Sequence, residues 1–265
     1  MHDERGSWDS AWADATFEDE IGTLSYEWVQ PALAFIAPHL VPNASILEAG
    51  CGPGRFLYWL REQGYRAVGV DCSLAALAKG RRYSADFRLA LADVCSLPFR
   101  AEAFGTCLSF GVIEHLPDGP DECLAEMRRV LAPGGVLIIS VPHRNLLAVA
   151  DPPLKRVYRA LRRIPVAGPL EPPGRHLPAG ELTAALARAG FEILETMPFG
   201  HAYSLHSFCG WFRRRGAYHD VTPLAAKLGR LLSRLAPWST ASTVFAAARK
   251  PTSATPDGVA HASRH

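Results

Sequence analysis

Three glycines and three carboxylates carry the chemistry this sequence can be read for. Gly50, Gly52 and Gly54 alternate as GxGxG directly after the apolar pair Ile46-Leu47, with Glu48 just before the turn. A strand that feeds a helix through glycines lets a ligand approach the backbone, and the helix N-terminus offers free N–H groups. The spacing is not the GxGxxG of a pyrophosphate-binding turn, which argues against a dinucleotide and against a nicotinamide dehydrogenase. Asp71 closes Val68-Gly69-Val70 about twenty residues on, where a carboxylate accepts both hydroxyls of a ribose. Asp93, in Ala92-Asp93-Val94, is placed to accept a hydrogen bond from an exocyclic amine. Glu48 can hold the N–H groups of the loop and face a cationic ligand. Alone, each acid is a solvated strand end; three at successive carboxyl ends of one parallel sheet point into one crevice.

The elements that must position these residues follow from pattern. Ser45–Ala49 reads as a buried strand, Arg55–Gln63 as a helix with Phe56, Leu57 and Leu60 inward, and Ala67–Val70 as a second strand. A helix over Ser73–Arg82, strands over Phe87–Ala92 and Thr106–Phe110, a helix over Asp121–Val130 and a buried strand Val136–Val141 follow. Strands alternating with helices predict an α/β fold with a parallel sheet. Ahead of them, Leu24–Leu40 reads as a helix broken at Pro31 and Pro38. After them, dense proline from 142 to 178 predicts an insertion or lid over about 143–180. Regularity returns with a helix over Glu181–Ala189 and strands over Phe191–Met197 and Thr243–Ala248. A Ser/Thr/Pro/Gly tail from Lys250 has the composition of disorder.

The ordered motifs Leu47-Glu48-Ala49-Gly50-Cys51-Gly52-Pro53-Gly54, Val68-Gly69-Val70-Asp71, Ala92-Asp93-Val94-Cys95-Ser96-Leu97-Pro98-Phe99, Phe110-Gly111-Val112-Ile113-Glu114-His115-Leu116 and Glu126–Gly135 resemble those of class I S-adenosylmethionine-dependent methyltransferases. They cover roughly residues 45–141, and Gly180–Met197 resembles the family's late helix and strand. The resemblance implies a Rossmann-like, doubly wound, seven-stranded and mostly parallel sheet, with a helical, Pro-rich lid after the fifth strand. It implies a domain over 45–249, capped by a helical segment at 1–44 and followed by a tail at 250–265. It implies S-adenosylmethionine as cofactor, with Gly50, Cys51, Gly52 and Gly54 against its methionine part and Glu48 beneath them. Asp71 would hold the ribose hydroxyls with Cys72 beside the adenine, Asp93 would face the adenine amine and Val94 its ring. The Phe110-Gly111 backbone would line the amino-acid end. It says little about the acceptor.

Methyl transfer from a sulfonium is an in-line displacement in which the cofactor supplies the activated group, so the protein's task is alignment and exclusion of water. An aliphatic hydroxyl also needs a base. His115 is the candidate, against the reading of a helix-start or loop-packing histidine; His143 and His176 are further histidines near the sheet edge and lid. Some metal-using relatives carry another Glu three positions before the Glu114-His115 pair. Gly111 stands there, and no metal is expected.

At 265 residues and 48% hydrophobic content the chain can bury a full core. No apolar run reaches the length of a membrane span, and Met1-His2-Asp3-Glu4-Arg5 does not read as a signal peptide. Six cysteines without a CxxC pair read as free thiols in a reducing compartment. A cytoplasmic protein is the expectation, with peripheral membrane contact as one reading of its basic helices. The charge is uneven: residues 1–142 carry 11 Lys and Arg against 19 Asp and Glu, and residues 143–265 carry 17 against 7. The basic half has Lys155, Arg156, Arg159, Arg162 and Arg163 on one helical face, Trp211-Phe212-Arg213-Arg214-Arg215, and a stripe of Leu224, Leu228, Leu231 and Leu235 opposite Lys227, Arg230 and Arg234. Either the apolar faces dock on the core or a second subunit, or they meet a membrane or an anionic, lipid-linked substrate. No RNA-binding module is present, and nucleic acid is not expected. The expected function is methyl transfer to an O, N or C atom of a small or lipid-like acceptor, entering under a lid formed with Trp8, Trp12, Phe17, Tyr26 and Trp28. The alternative is a non-catalytic S-adenosylmethionine-binding regulatory or scaffold protein.

Overall fold

The computed structural model describes residues 8–10, 12, 16–146, 174–214 and 219–252. Most of the expected insertion, the basic face at Lys155–Arg163 and the tail beyond 252 lie outside the described residues. Seven strands form one sheet: β1 (Ile46–Ala49), β2 (Ala67–Asp71), β3 (Leu89–Leu91), β4 (Phe104–Phe110), β5 (Leu131–Pro142), β6 (Glu192–Phe199) and β7 (Thr243–Arg249). Their order is β3-β2-β1-β4-β5-β7-β6. The first five run parallel, and β7 inserts antiparallel between β5 and β6.

The helices, numbered in chain order, are α1 (Phe17–Gly22), α2 (Gln30–Ile36), α3 (Arg55–Glu62), α4 (Leu74–Tyr83), α5 (Asp121–Val130), α6 (Ala179–Arg188), α7 (His201–Phe208), α8 (Pro223–Leu235) and α9 (Pro237–Thr240). Pro31 does not break a helix as the sequence suggested. It sits in the first turn of α2, where its missing N–H costs no helical bond.

Strand residues alternate between two cores, as a pleat of period two requires. Leu47, Cys107, Leu137, Ile139 and Ala246 face α5 and α6. Ile46, Leu108, Ile138 and Phe245 face α2 and α3. Continuing the alternation puts Glu48, Phe110 and Ser140 on the α2/α3 side. All three lie at or near the carboxyl ends of β1, β4 and β5, where parallel sheets place their ligand crevices.

Candidate active site

The bend after β1 takes its shape from glycine. Gly50, Gly52 and Gly54 have φ of 79°, 53° and 98°, a region that side-chain-bearing residues rarely adopt. Gly50 and Cys51 both donate their N–H to the Val70 carbonyl, at 2.8 and 2.9 Å, which ties the bend to β2. A Cβ on Gly50 would lie 2.3 Å from Val112 Cγ2, and one on Gly52 2.7 Å from the Trp12 ring. Gly54 opens α3 from the N-cap position. Cys51 turns inward against Leu57 and Leu77.

Glu48 is buried beneath the bend, and its Oε2 has no hydrogen-bond partner among the described residues. Burial pushes its pKa up to about 8; Arg55 and the Leu57 backbone N–H pull it down, and Asp71 raises it further. At neutral pH the group is therefore mostly protonated, until a cation is brought alongside.

Asp71 closes β2 as expected. Its Oδ2 accepts the Gly52 N–H at 2.7 Å and its Oδ1 the Ser73 N–H at 2.8 Å, so one carboxylate fixes the glycine bend and the entry to α4. Burial raises its pKa, opposed by those backbone bonds. Asp93 lies two residues beyond β3 and accepts the Cys95 N–H at 2.8 Å. The connection that carries it is clamped from α5. Glu126 accepts the Leu97 N–H at 2.9 Å and pairs with Arg129, which donates to the carbonyls of Phe99 and Leu97.

These residues meet at a cavity of about 150 Å³ lined by Gly50, Asp71, Cys72, Asp93, Val94 and the Phe110-Gly111 turn, together with His115. Seven of the eleven expected cofactor residues are thus brought together. Of the others, Glu48 and Cys51 are buried behind the bend, Gly52 lies under Trp12, and Gly54 starts a helix. A second cavity of about 350 Å³ opens on the α2/α3 side. Trp8, Trp12, Phe110, Gly111 and His115 line both. The Trp8 and His115 rings meet edge to face at 4.8 Å, and His115 Nε2 is 3.8 Å from Glu114 Oε1. Asp9 holds the N-terminal segment down, accepting from Ser73 Oγ at 2.6 Å and the Ala75 N–H at 3.1 Å. Those two bonds lower its pKa.

His143 and His176 line neither cavity. His143 is buried with its ring nitrogens near the carbonyls of Leu177 and Trp238, at 3.3 and 3.1 Å, a structural tie. Of the aromatic residues expected at the lid, Trp8, Trp12 and Trp28 line a cavity, whereas Phe17 packs on Tyr83 and Phe87. The sequence reading missed Glu20, Arg55, Ser140, Tyr203, His219 and Phe245, all in the lining of the larger cavity. One signal was available: Ser140 is the lone polar residue in the buried run Ile138–Val141. Among the described residues no group of three or more His, Cys, Asp or Glu is placed to hold a metal.

The donor set fits a nucleoside with a cationic amino-acid end: carboxylates at two neighbouring strand ends, a bare glycine bend, and a buried acid with an unused oxygen. Residues 47–139 match the family model of the methyltransferase domain. A probable S-adenosylmethionine-dependent methyltransferase of Mycolicibacterium smegmatis is 29% identical over 201 residues, spanning 76% of this chain and 69% of that protein. Residues 47–139 carry a class I S-adenosylmethionine-dependent methyltransferase domain. S-adenosylmethionine is the cofactor of this methyltransferase. A malonyl-[acyl-carrier protein] O-methyltransferase of Salmonella typhimurium is 35% identical over 118 residues, but the match spans only 44% of this chain and 45% of that enzyme. In fold, the methyltransferase is similar to the Burkholderia thailandensis 1,6-didemethyltoxoflavin-N1-methyltransferase, with a TM-score of 0.59 at 20% identity over 94% of this chain and 90% of that one.

Proposed function

We propose that the chain transfers the cofactor's methyl group to a small, largely apolar acceptor held in the larger cavity, with His115 as the base at the junction. The observation that carries this reading is the shared lining. A residue that lines both cavities stands where cofactor and acceptor meet, and His115 is the one titratable side chain among those five. In this reading Asp71 holds the ribose hydroxyls and Asp93 the adenine amine, with Cys72 and Val94 against the base. Gly50 and Gly111 flank the amino-acid end, and Glu48 supplies negative charge beneath it once the sulfonium is bound. Glu114, buried beside His115, steadies the imidazolium that forms when the acceptor's proton leaves. Trp8 and Trp12 cover the junction and keep water from the in-line path.

Transfer from labelled S-adenosylmethionine to acceptor candidates, compared between wild type and His115→Gln, tests this. The variant is expected to lose about 10²- to 10⁴-fold in kcat, as removal of a general base does, while S-adenosylhomocysteine still binds. Unchanged turnover would remove His115 from the reaction. Persistent absence of transfer in the wild type, with tight cofactor binding, would favour the scaffold reading.

We also infer that α8 rests on an anionic membrane surface. The sequence allowed its leucines to dock on the core, but the helix is seated on its small residues instead. Ala225 and Gly229 are buried, the latter so close that a Cβ would lie 2.8 Å from that of Ala202. Leu224, Leu231 and Leu235 are exposed at 59%, 51% and 72%, with Trp238 near the helix end at 40%. Lys227 and Arg234 flank the stripe, and Arg230 pairs with Glu27. An exposed leucine stripe beside basic residues has the pattern of an interfacial helix, and its positive charge complements an anionic bilayer.

A further inference from the structure

The two ends of the larger cavity differ in chemistry. One end is the junction with the cofactor site at Gly111 and His115. The other is lined by residues that the smaller cavity does not touch, among them Glu20, Thr23, Arg55, Tyr203 and His219. There Arg55 is already engaged: its Nη1 lies 3.3 Å from the buried Glu20 carboxylate and 3.3 Å from Thr23 Oγ1. Its guanidinium also sits 4.9 Å from the Phe56 ring centroid. The Tyr203 hydroxyl is 3.2 Å from His219 Nδ1, and the Tyr203 ring stacks on Trp28 at 5.3 Å. Burial, the largest influence, holds the His219 pKa below its usual value, which favours the uncharged imidazole. This end is polar, and Arg55, the arginine that lines it among the described residues, is paired with a buried acid.

Aromatic rings also line this cavity. Phe110 lies 4.6 Å from Phe56 and 5.5 Å from Phe245, and Phe199 lies 5.3 Å from Phe245. A cavity of about 150 Å³ suffices for benzene; one of about 350 Å³ has room for two or three fused rings.

We propose that the acceptor is a flat, uncharged ring compound with a second hydroxyl or carbonyl opposite the atom to be methylated, bound there by Tyr203 and His219. This rests on the larger cavity being the acceptor site. A carboxylate or phosphate at the far end would have to compete for Arg55 with the buried Glu20 carboxylate, and breaking a buried ion pair is penalised heavily. A neutral hydroxyl needs only the hydrogen-bonding edge of Tyr203 and His219. The far end therefore selects against an anionic group placed there.

A matched pair of probes decides it: a naphthalenediol, and the hydroxynaphthoate in which a carboxylate replaces the distal hydroxyl. Both are titrated calorimetrically into the full chain saturated with S-adenosylhomocysteine. The diol is expected to bind at least about tenfold more tightly, since only the acid must bury a charge beside an arginine that is already paired. Glu20→Gln releases Arg55, and the hydroxynaphthoate is then expected to gain about tenfold. Tyr203→Phe, which removes one hydroxyl, should weaken the diol by about fivefold. Equal or tighter binding of the hydroxynaphthoate to wild type, or binding of neither probe, overturns the proposal. Failure of S-adenosylhomocysteine to bind instead counts against the cofactor site. The probes are then titrated into the unloaded chain, where the same preference decides the acceptor class.

Discussion

Glu48 shows how one residue links fold and ligand. Its folded pKa of about 8 lies above the ordinary 4.5, so folding takes up a proton. The stability this contributes is complete below about 4.5 and is lost as pH rises from there through about 8. Thermal melts across that window should show wild type losing more Tm than Glu48→Gln, which cannot ionise; parallel curves would contradict the assignment. Binding the cationic cofactor should also release a proton from Glu48, and neutral-sulfur S-adenosylhomocysteine less of one. Calorimetry in buffers of different ionisation enthalpy measures that difference. Gly50→Ala places a Cβ against Val112 at a positive φ and should cost about 1–3 kcal/mol in strain alone, measured by denaturant unfolding. At this scale the site was largely legible. Asp71 and Asp93 could be placed from strand ends because parallel strands deliver their last residues to one edge. Glu20, Tyr203 and His219 could not. They reach the cavity from α1, α7 and a loop, and no local pattern says where such elements cross the sheet edge.

At the scale of elements, periodicity located the strands and most helices to within a few residues, because buried strands are apolar runs and amphipathic helices repeat at 3.6 residues. It left open how α8 sits. An apolar stripe says only that a face avoids water, not whether protein or lipid covers it, and the small residues Ala225 and Gly229 set the docking face instead. Vesicle co-sedimentation follows from this. Wild type should pellet with phosphatidylcholine vesicles containing phosphatidylglycerol, less with phosphatidylcholine alone, and less again as salt screens Lys227 and Arg234. Leu231→Asp with Leu235→Asp should abolish pelleting without loss of fold, since both positions are exposed. Pelleting that survives the double substitution would move the contact elsewhere.

For the whole molecule, the acidic N-terminal half lines the smaller cavity and the basic C-terminal half supplies α8 and part of the larger cavity's wall. No described helix is long and apolar enough to cross a membrane. The fold class was written in the strand–helix alternation. The antiparallel β7 between β5 and β6 was not, because direction depends on which edge a late strand finds. The central claim is that two strand-end carboxylates and a glycine bend form one nucleoside site. Titrating S-adenosylmethionine into wild type and Asp71→Asn tests it most directly. Saturable binding to wild type, weakened about a hundredfold in the variant by loss of two charge-assisted hydrogen bonds, is the predicted result. Equal affinity of the two proteins, or no binding to either, would contradict it.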